Sequence, residues 1–187
     1  RYDDVPDRGP HLPDAFIRSD FLAIKRAGAN IVRIHYPQPP AQLRIADELG
    51  LLLLEEVPIC WWKAKADTDA ERDANARLVE AGSRLLPAMV SRDGNHPSLV
   101  LWGLANESGT DRPAGIAAME RLIDEAHALD PSRPVLYVTS GKEEQNRAFA
   151  KADLVALNLY FGWFFGDKVH HLADVEARAY APTRKRL

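Results

Sequence analysis

The sequence predicts an α/β fold built on a parallel sheet. Five short apolar runs have the near-continuous hydrophobicity of strands that are buried on both faces: residues 31–34, 51–54, 99–104, 135–138 and 154–157. Segments with helical spacing separate them, and this alternation of helix and strand is typical of α/β proteins. With 187 residues, of which 46% are hydrophobic and 27% charged, the chain can bury a globular core.

Apolar residues at core spacing and clear stop signals predict the helices. They cover about residues 19–27, 40–49, 71–91, 114–129 and, as a short segment, 143–150, with Pro87 inside the third. Gly28 and Gly50 follow the first two helices, where a left-handed residue commonly ends a helix. The loops 37–40, 64–70 and 108–113 each follow a predicted strand, so we expect them to gather at the carboxyl edge of the sheet.

Composition and charge exclude several classes of function. The net charge of −3 gives no electrostatic case for binding nucleic acid, and no apolar run approaches the roughly 18 residues of a membrane span, so neither partner is expected. A single cysteine, Cys60, rules out a disulfide within the chain, and the compartment, cytoplasmic or secreted, stays open. The sequence has no Cys/His cluster and no Gly-rich phosphate loop, and it lacks a Gly-x-Ser-x-Gly elbow. We therefore expect no metal and no cofactor.

The sharpest candidate site ends the third apolar run, in Leu104-Ala105-Asn106-Glu107-Ser108-Gly109. A glycosidase needs a carboxylic acid to protonate the departing glycosidic oxygen, and a neighbouring amide can bind a sugar hydroxyl. The alternative is a helix cap, because Asn and Ser commonly begin the helix that follows a strand.

Four blocks of the sequence resemble glycoside hydrolase family 2, which includes β-galactosidases, β-glucuronidases and β-mannosidases. They run from Arg92 to Glu107 (RDGNHPSLVLWGLANE), from Gly28 to Pro37 (GANIVRIHYP), from Asp47 to Glu56 and from Asn158 to Phe164 (NLYFGWF). The resemblance covers most of the chain in the family's order. It implies a partial TIM (β/α)8 barrel, approximately strands 2 to 6 with their helices, as a single domain over residues 1–187 that is truncated at both ends.

The same resemblance implies the retaining hydrolysis of a β-linked glycoside or oligosaccharide by two carboxyl groups. Glu107 would be the general acid/base and Asn106 a ligand of a sugar hydroxyl. The nucleophile would end the seventh strand, but the one glutamate after Trp163 is Glu176, in a helical pattern with no strand before it. We therefore expect the missing barrel segments of the parent chain to supply the nucleophile, and this chain alone to be inactive.

Other strand ends supply further candidate residues. His35 fits a substrate ligand, although a strand-end histidine is often a structural hydrogen-bonding group. Arg33 could pair with an acidic side chain inside the barrel, in a functional or a purely structural ion pair. Alternation allows only one of Glu55 and Glu56 to face the interior; the resemblance favours Glu56 as a substrate-binding carboxylate, and a charged side chain on a solvated rim is the alternative.

Aromatic residues add a second set of candidates. Tyr160 and Trp163 fit substrate contacts in the resemblance, but either could simply pack a loop, as could the adjacent pair Trp61 and Trp62. The sequence departs from the glucuronidase-like pattern at two positions, with Leu159 in place of an arginine and Phe164 in place of a second tyrosine. Both changes remove polar groups, which weakens the case for a glucuronide.

Two other readings remain open from the sequence. The chain could be a non-catalytic carbohydrate-binding α/β domain, or part of a cellulase-like retaining glycosidase that shares the Asn-Glu strand end. The sequence does not specify the sugar, nor whether the parent is a homo-oligomer. His96 lies in an Asn-His-Pro turn, where we expect a structural hydrogen bond.

Overall fold

A computed structural model describes residues 12–60, 68–110, 112–139 and 147–158, which form one parallel sheet with helices packed against it. The strands are β1 (Ile31–Ile34), β2 (Leu52–Glu56), β3 (Leu99–Asn106), β4 (Val135–Thr139) and β5 (Leu154–Leu157). The helices are α1 (Asp14–Arg26), α2 (Pro40–Leu49), α3 (Asp69–Asp93) and α4 (Pro113–Leu129), and a short 3₁₀ helix (Arg147–Ala150) precedes β5.

The strands lie side by side in chain order, and every neighbouring pair is parallel. Helices α2, α3 and α4 provide the first three crossovers, and the 3₁₀ helix lies in the fourth. This order is that of a barrel sector, because in a doubly wound sheet the strand order reverses at a switch point. The predicted α/β class and all five predicted strands are confirmed.

The predicted boundaries of α2, α3 and α4 lie within two residues of the observed ones, and the described part of the predicted segment 143–150 is the 3₁₀ helix; the first helix shows the largest difference. Helix α1 begins at Asp14 rather than at residue 19, directly after Pro13, and Asp14 supplies a negative charge in the first turn, where the helix dipole favours it. Ile17 already belongs to the buried face, so the apolar stripe starts before the predicted helix does. The predicted glycine stops are confirmed, since Gly28 and Gly50 have φ of 91° and 62°.

Helix α3 begins with a complete capping box, a local sequence signal for a helix start. The Thr68 hydroxyl accepts a hydrogen bond from the Glu71 backbone N–H at 3.2 Å, and the Glu71 carboxylate accepts one from the Thr68 backbone N–H, which forms a capping box. Pro87 lies inside the helix, which continues to Asp93. None of the helices in the described ranges is both long and apolar enough to cross a membrane.

The two faces of the sheet bury different sets of side chains. The outer face packs against the helices in the larger core cluster, with Leu53, Trp102, Leu104, Val135 and Tyr137 from the strands. The inner, concave face carries a small apolar cluster formed by Leu54, Leu101, Leu136, Val138 and Ala156. Alternation of the side chains along the strands produces this division.

Strand β3 departs from that alternation near its carboxyl end. Gly103 lies opposite Leu136 and Asn106 opposite Val138, so three steps along β3 match two along β4, and the register shifts between them. Such a bulge re-aims the side chains that follow it. Leu104 and Ala105 both belong to the outer core, and Asn106 turns to the concave side, where it meets Arg33 of β1.

Glu55 faces the helices from the outer side of β2, as alternation predicts for the neighbour of an inward Glu56. It is fully buried beside Asp93, which is also buried at the end of α3. Arg92 donates to both oxygens of Asp93, and its Nη2 lies 3.6 Å from Glu55 Oε1. Burial, together with the charge of Asp93, raises the pKa of Glu55 to about 8, and Arg92 opposes the rise.

This raised pKa predicts that Glu55→Gln stabilises the protein at alkaline pH. A carboxyl group whose pKa is about 8 in the folded state and near 4.5 in the unfolded state holds its proton longer when folded. Its contribution to the free energy of unfolding therefore falls as pH rises from about 4.5 to about 8. We expect the melting temperature of Glu55→Gln to exceed that of the wild type by more at pH 9 than at pH 6.

Glu48→Gln is the matched control for this measurement. Glu48 is exposed, and hydrogen bonds from Arg18 and Arg44 lower its pKa, so it is ionised in both states above pH 6. Its difference from the wild type should stay constant between pH 6 and pH 9. A constant difference for Glu55→Gln as well would contradict the prediction.

Candidate functional site

The candidate site lies at the carboxyl edge of the sheet, where the ends of four strands meet. Arg33 belongs to β1 and Glu56 ends β2, Asn106 ends β3 and is followed by Glu107, and Asn158 follows β5. Parallel strands bring all their carboxyl ends to the same edge, so residues far apart in sequence become neighbours there. The structure thus brings together four of the predicted site residues: Glu107, Asn106, Glu56 and, just beyond β1, His35.

An ion pair between Arg33 and Glu56 lies at the buried base of the site. Arg33 Nε and Nη2 donate to the two Glu56 oxygens, each at 3.0 Å, and the Glu56 side chain has no exposed surface. His35 Nε2 lies 3.1 Å from Glu56 Oε1. Burial raises the pKa of Glu56 to about 7, while the charge and the hydrogen bonds of Arg33 act in the opposite direction.

Gly103 makes room for the Glu56 carboxylate on the neighbouring strand. A Cβ at residue 103 would lie 2.9 Å from Glu56 Cγ and 3.0 Å from Leu54 Cδ2, closer than side chains pack. A larger residue would push Glu56 away from Arg33. The glycine in the predicted strand is therefore explained by close packing, which its position in the sequence alone does not reveal.

Asn106 is held in one orientation by its neighbours. Its Oδ1 accepts hydrogen bonds from Arg33 Nη2 at 2.8 Å and from Asn158 Nδ2 at 3.0 Å. Arg33 can only donate, so it identifies that atom as the carbonyl oxygen, and the NH₂ group points the other way, 3.4 Å from the sulfur of Cys60. The backbone N–H of Asn106 donates to Ile59 O, which joins β3 to the chain beyond β2.

Glu107 combines an unusual backbone with a tethered side chain. Its φ is +47°, a left-handed conformation that is uncommon for a residue with a Cβ and that clusters at functional sites. The backbone N–H donates to Val138 O of β4 at 2.8 Å, and the carboxyl Oε1 accepts from Asn158 Nδ2 at 2.6 Å. The side chain is half-buried, so a carboxyl group is fixed at the edge of the concave face without being sealed from solvent.

Asn158 is a residue of the candidate site that sequence reasoning missed. It lies in the block from Asn158 to Phe164 that carries part of the resemblance, but nothing in that block singled it out. Its contact with Glu107 exists only because β3 and β5 end at the same edge. The signal that could have revealed it was its place as the first polar residue after an apolar strand.

Two other residues make structural contacts, Tyr36 at this edge and His96 at the opposite edge of the sheet. Burial and a hydrogen bond with the Cys60 thiol raise the pKa of the Tyr36 phenol. His96, at the opposite edge, binds Asp47, which also accepts a hydrogen bond from the Ser98 backbone N–H at 2.8 Å. This confirms the structural hydrogen bond that was predicted for His96.

Several predicted candidates lie outside the described residues. Tyr160, Trp163 and the pair Trp61 and Trp62 belong to this group, as do the two positions that depart from the glucuronidase-like pattern, Leu159 and Phe164. Within the described ranges, no three His, Cys, Asp or Glu side chains are grouped to hold a metal ion.

The family model described as glycosyl hydrolases family 2, TIM barrel domain, matches residues 1–186. Among curated proteins, the β-glucuronidase of Sus scrofa is 30% identical over 165 residues, and that of Paenibacillus borealis is 30% identical over 168 residues. Each alignment covers 88% of this chain but only 24% and 28%, respectively, of the relative. The chain thus spans about a quarter of the length of these relatives.

Solved structures give the same result for the fold. A β-D-glucuronidase from Dictyoglomus thermophilum has a TM-score of 0.85 at 27% identity, covering 98% of this chain and 32% of that one. A β-galacturonidase from Eisenbergiella tayi, bound to galacturonate, has a TM-score of 0.76 at 26% identity, covering 88% and 28%. These matches confirm the prediction of a partial TIM (β/α)8 barrel.

The buried ion pair predicts a large loss of stability when Arg33 alone is removed. Arg33→Gln leaves the Glu56 carboxylate buried without its cation, which typically costs about 3 to 5 kcal/mol. The loss in the free energy of unfolding should be largest near pH 8 and smaller at pH 5, because Glu56 can then take up a proton. Denaturant titration at both pH values measures it.

A double substitution and a surface control complete this test. Arg33→Gln with Glu56→Gln replaces both charges by neutral amides and should recover most of the loss. Arg44→Gln, which removes exposed ion pairs with Glu48 and Asp14, should cost less than about 1 kcal/mol. An Arg33→Gln variant no less stable than this control would show that the pair is dispensable.

Proposed function

This chain belongs to glycosyl hydrolase family 2, and from that membership we propose that the parent protein is a retaining β-glycosidase in which Glu107 is the general acid/base. The observation that supports this role is the hydrogen-bonded, half-buried Glu107 carboxyl at the carboxyl edge of the sheet. In barrels that edge carries the active site. A carboxyl group in this place can exchange a proton with a bound substrate and with water.

Hydrolysis would proceed in two steps. A nucleophilic carboxylate from the rest of the parent chain attacks the anomeric carbon, the glycosidic C–O bond breaks, and its electron pair passes to the leaving oxygen, which takes the proton of Glu107. The Glu107 carboxylate then removes a proton from water, whose oxygen attacks the anomeric carbon and releases the nucleophile. Two inversions at that carbon give net retention.

The neighbouring side chains would bind and orient the sugar. The Oδ1 of Asn106 already accepts two hydrogen bonds, so the group it can offer a sugar hydroxyl is its NH₂. His35 is partly exposed beside Glu56 and is proposed as a second ligand. Glu56 was predicted as a substrate ligand, but its side chain is fully buried against Arg33 and His35, and we propose instead that it holds these two side chains. Tyr160 and Trp163 remain predicted substrate contacts.

The names of the relatives determine which substrates to test first. Because the relatives are named as β-glucuronidases and a β-galacturonidase, aryl β-glucuronides and β-galacturonides should be assayed first. The apolar residues Leu159 and Phe164, which replace polar residues of the glucuronidase-like pattern, are the reason to include neutral β-galactosides and β-mannosides.

Glu107→Gln in the parent protein tests the acid/base role directly. The amide cannot protonate a leaving oxygen, so kcat/KM for a phenyl glycoside should fall by about 100-fold or more. A 2,4-dinitrophenyl glycoside needs little protonation, and its kcat/KM should fall much less. Azide, a nucleophile that needs no general base, should restore turnover of the dinitrophenyl substrate.

The control for this variant is Glu80→Gln on the exposed face of α3, where an ion pair with Arg84 is the interaction removed. It should leave both rate constants unchanged. Equal losses for the two substrates in Glu107→Gln, without rescue by azide, would rule out general acid/base catalysis by this residue.

The 187-residue chain by itself is predicted not to hydrolyse these substrates, because the nucleophile is expected from another part of the parent. Assays of the isolated chain and of the parent at equal concentration measure this. Turnover by the isolated chain that Glu107→Gln abolishes would contradict the prediction.

A further inference from the structure

We propose that Asn158 is the positioning residue of the general acid/base: its NH₂ group holds the Glu107 carboxyl in place through Oε1 and favours the transferable proton on Oε2. The proposal rests on the acid/base role proposed above for Glu107. It goes further because it gives a role to Asn158, which follows β5, and a preferred protonation site to one oxygen of the carboxyl group.

The geometry of the contact fixes the orientation of the Asn158 amide. One atom of that amide lies 3.0 Å from Asn106 Oδ1 and 2.6 Å from Glu107 Oε1. Both neighbours are oxygens, and Arg33 already identifies the first of them as a carbonyl oxygen, so the atom between them must be the NH₂ nitrogen with its two hydrogens. If the Asn158 amide were flipped, its carbonyl oxygen would face Asn106 Oδ1 and Glu107 Oε1, with no hydrogen between the oxygens.

The position of this donor is itself well determined. The Asn158 backbone N–H donates to Thr139 O at 2.7 Å, which extends the pairing of β4 with β5 to the site. On its other side, Asn106 is anchored by Arg33, and Arg33 by the buried Glu56. The Glu107 carboxyl is thereby connected through hydrogen bonds to β1 and β2 as well as to β5.

This arrangement has a consequence for proton transfer. An amide NH₂ group donates and cannot accept, so Oε1 of Glu107 must present a lone pair to Asn158 in both protonation states. The carbonyl oxygen of a carboxylic acid is a better acceptor than its hydroxyl oxygen, so this contact favours placing the proton of the acid form on Oε2. Proton transfer depends strongly on the position of the donor, because a displacement of about 1 Å can cost on the order of 100-fold in rate.

Asn158→Ala in the parent protein tests the proposal through the dependence on the leaving group. If Asn158 positions the acid, kcat/KM should fall about 10-fold or more for a phenyl glycoside and by less than about 3-fold for a 2,4-dinitrophenyl glycoside. KM should change little. A residue that only binds the sugar or supports the fold would lower kcat/KM for both substrates alike, and that result would overturn the proposal.

Asn158→Asp keeps the size of the side chain and guards against failure of the alanine variant to fold. It replaces the NH₂ donor by a second carboxyl oxygen next to Glu107, and two such groups compete for a proton. We expect the loss with the phenyl substrate to persist and the basic limb of the kcat/KM profile to move to higher pH. An unchanged leaving-group dependence and pH profile would overturn the proposal.

Two comparisons separate this proposal from the proposed function. Asn95→Ala removes an amide from an exposed turn at the opposite edge of the sheet and should leave both substrates unaffected. Glu107→Gln in the same assay reports on the acid/base role itself. A leaving-group effect in Glu107→Gln but not in Asn158→Ala refutes only the role of Asn158, whereas its absence in Glu107→Gln refutes the proposed function.

Discussion

A carboxylate with no exposed surface, Glu56, ends the second strand, and the guanidinium of Arg33 compensates for its burial. Removing a carboxylate from water costs several kcal/mol, which only close and well-oriented donors offset. The guanidinium of Arg33 donates two hydrogen bonds to Glu56, through Nε and Nη2. A third hydrogen bond, from Nη2, goes to Asn106 Oδ1. The ion pair therefore does more than neutralise a charge, because it sets the orientation of the amide beside the catalytic candidate.

The bulge in β3 makes that contact geometrically possible. If β3 ran without the register shift between Gly103 and Asn106, strict alternation would direct Asn106 to the helix side of the sheet, as it does Trp102 and Leu104. With it, the amide reaches Arg33 on one side and Asn158 on the other. A local irregularity thus joins four strand ends into one hydrogen-bonded network, which ends at the Glu107 carboxyl.

Adjacent residues of β2 show how the two faces of one strand impose different chemistry. Burial raises the pKa of both Glu55 and Glu56, but their partners differ. Glu55 meets another carboxylate, Asp93, on the helix side, so its charge is opposed and its effect is on stability. Glu56 meets Arg33 on the concave side, where its charge is used to hold the site together.

The sequence by itself determined the α/β class, the five strands, the glycine stops at Gly28 and Gly50 and the place of Glu107 at a strand end, because hydrophobic periodicity and turn chemistry are local properties. The resemblance to the family added the barrel, which the structure confirms, and the acid/base role of Glu107, which stays a proposal. The inward turn of Asn106, the need for Gly103 and the contact of Asn158 with Glu107 were decided by the tertiary structure. All three depend on the strand register and on neighbours from other strands. A local sequence pattern encodes neither the register nor those neighbours.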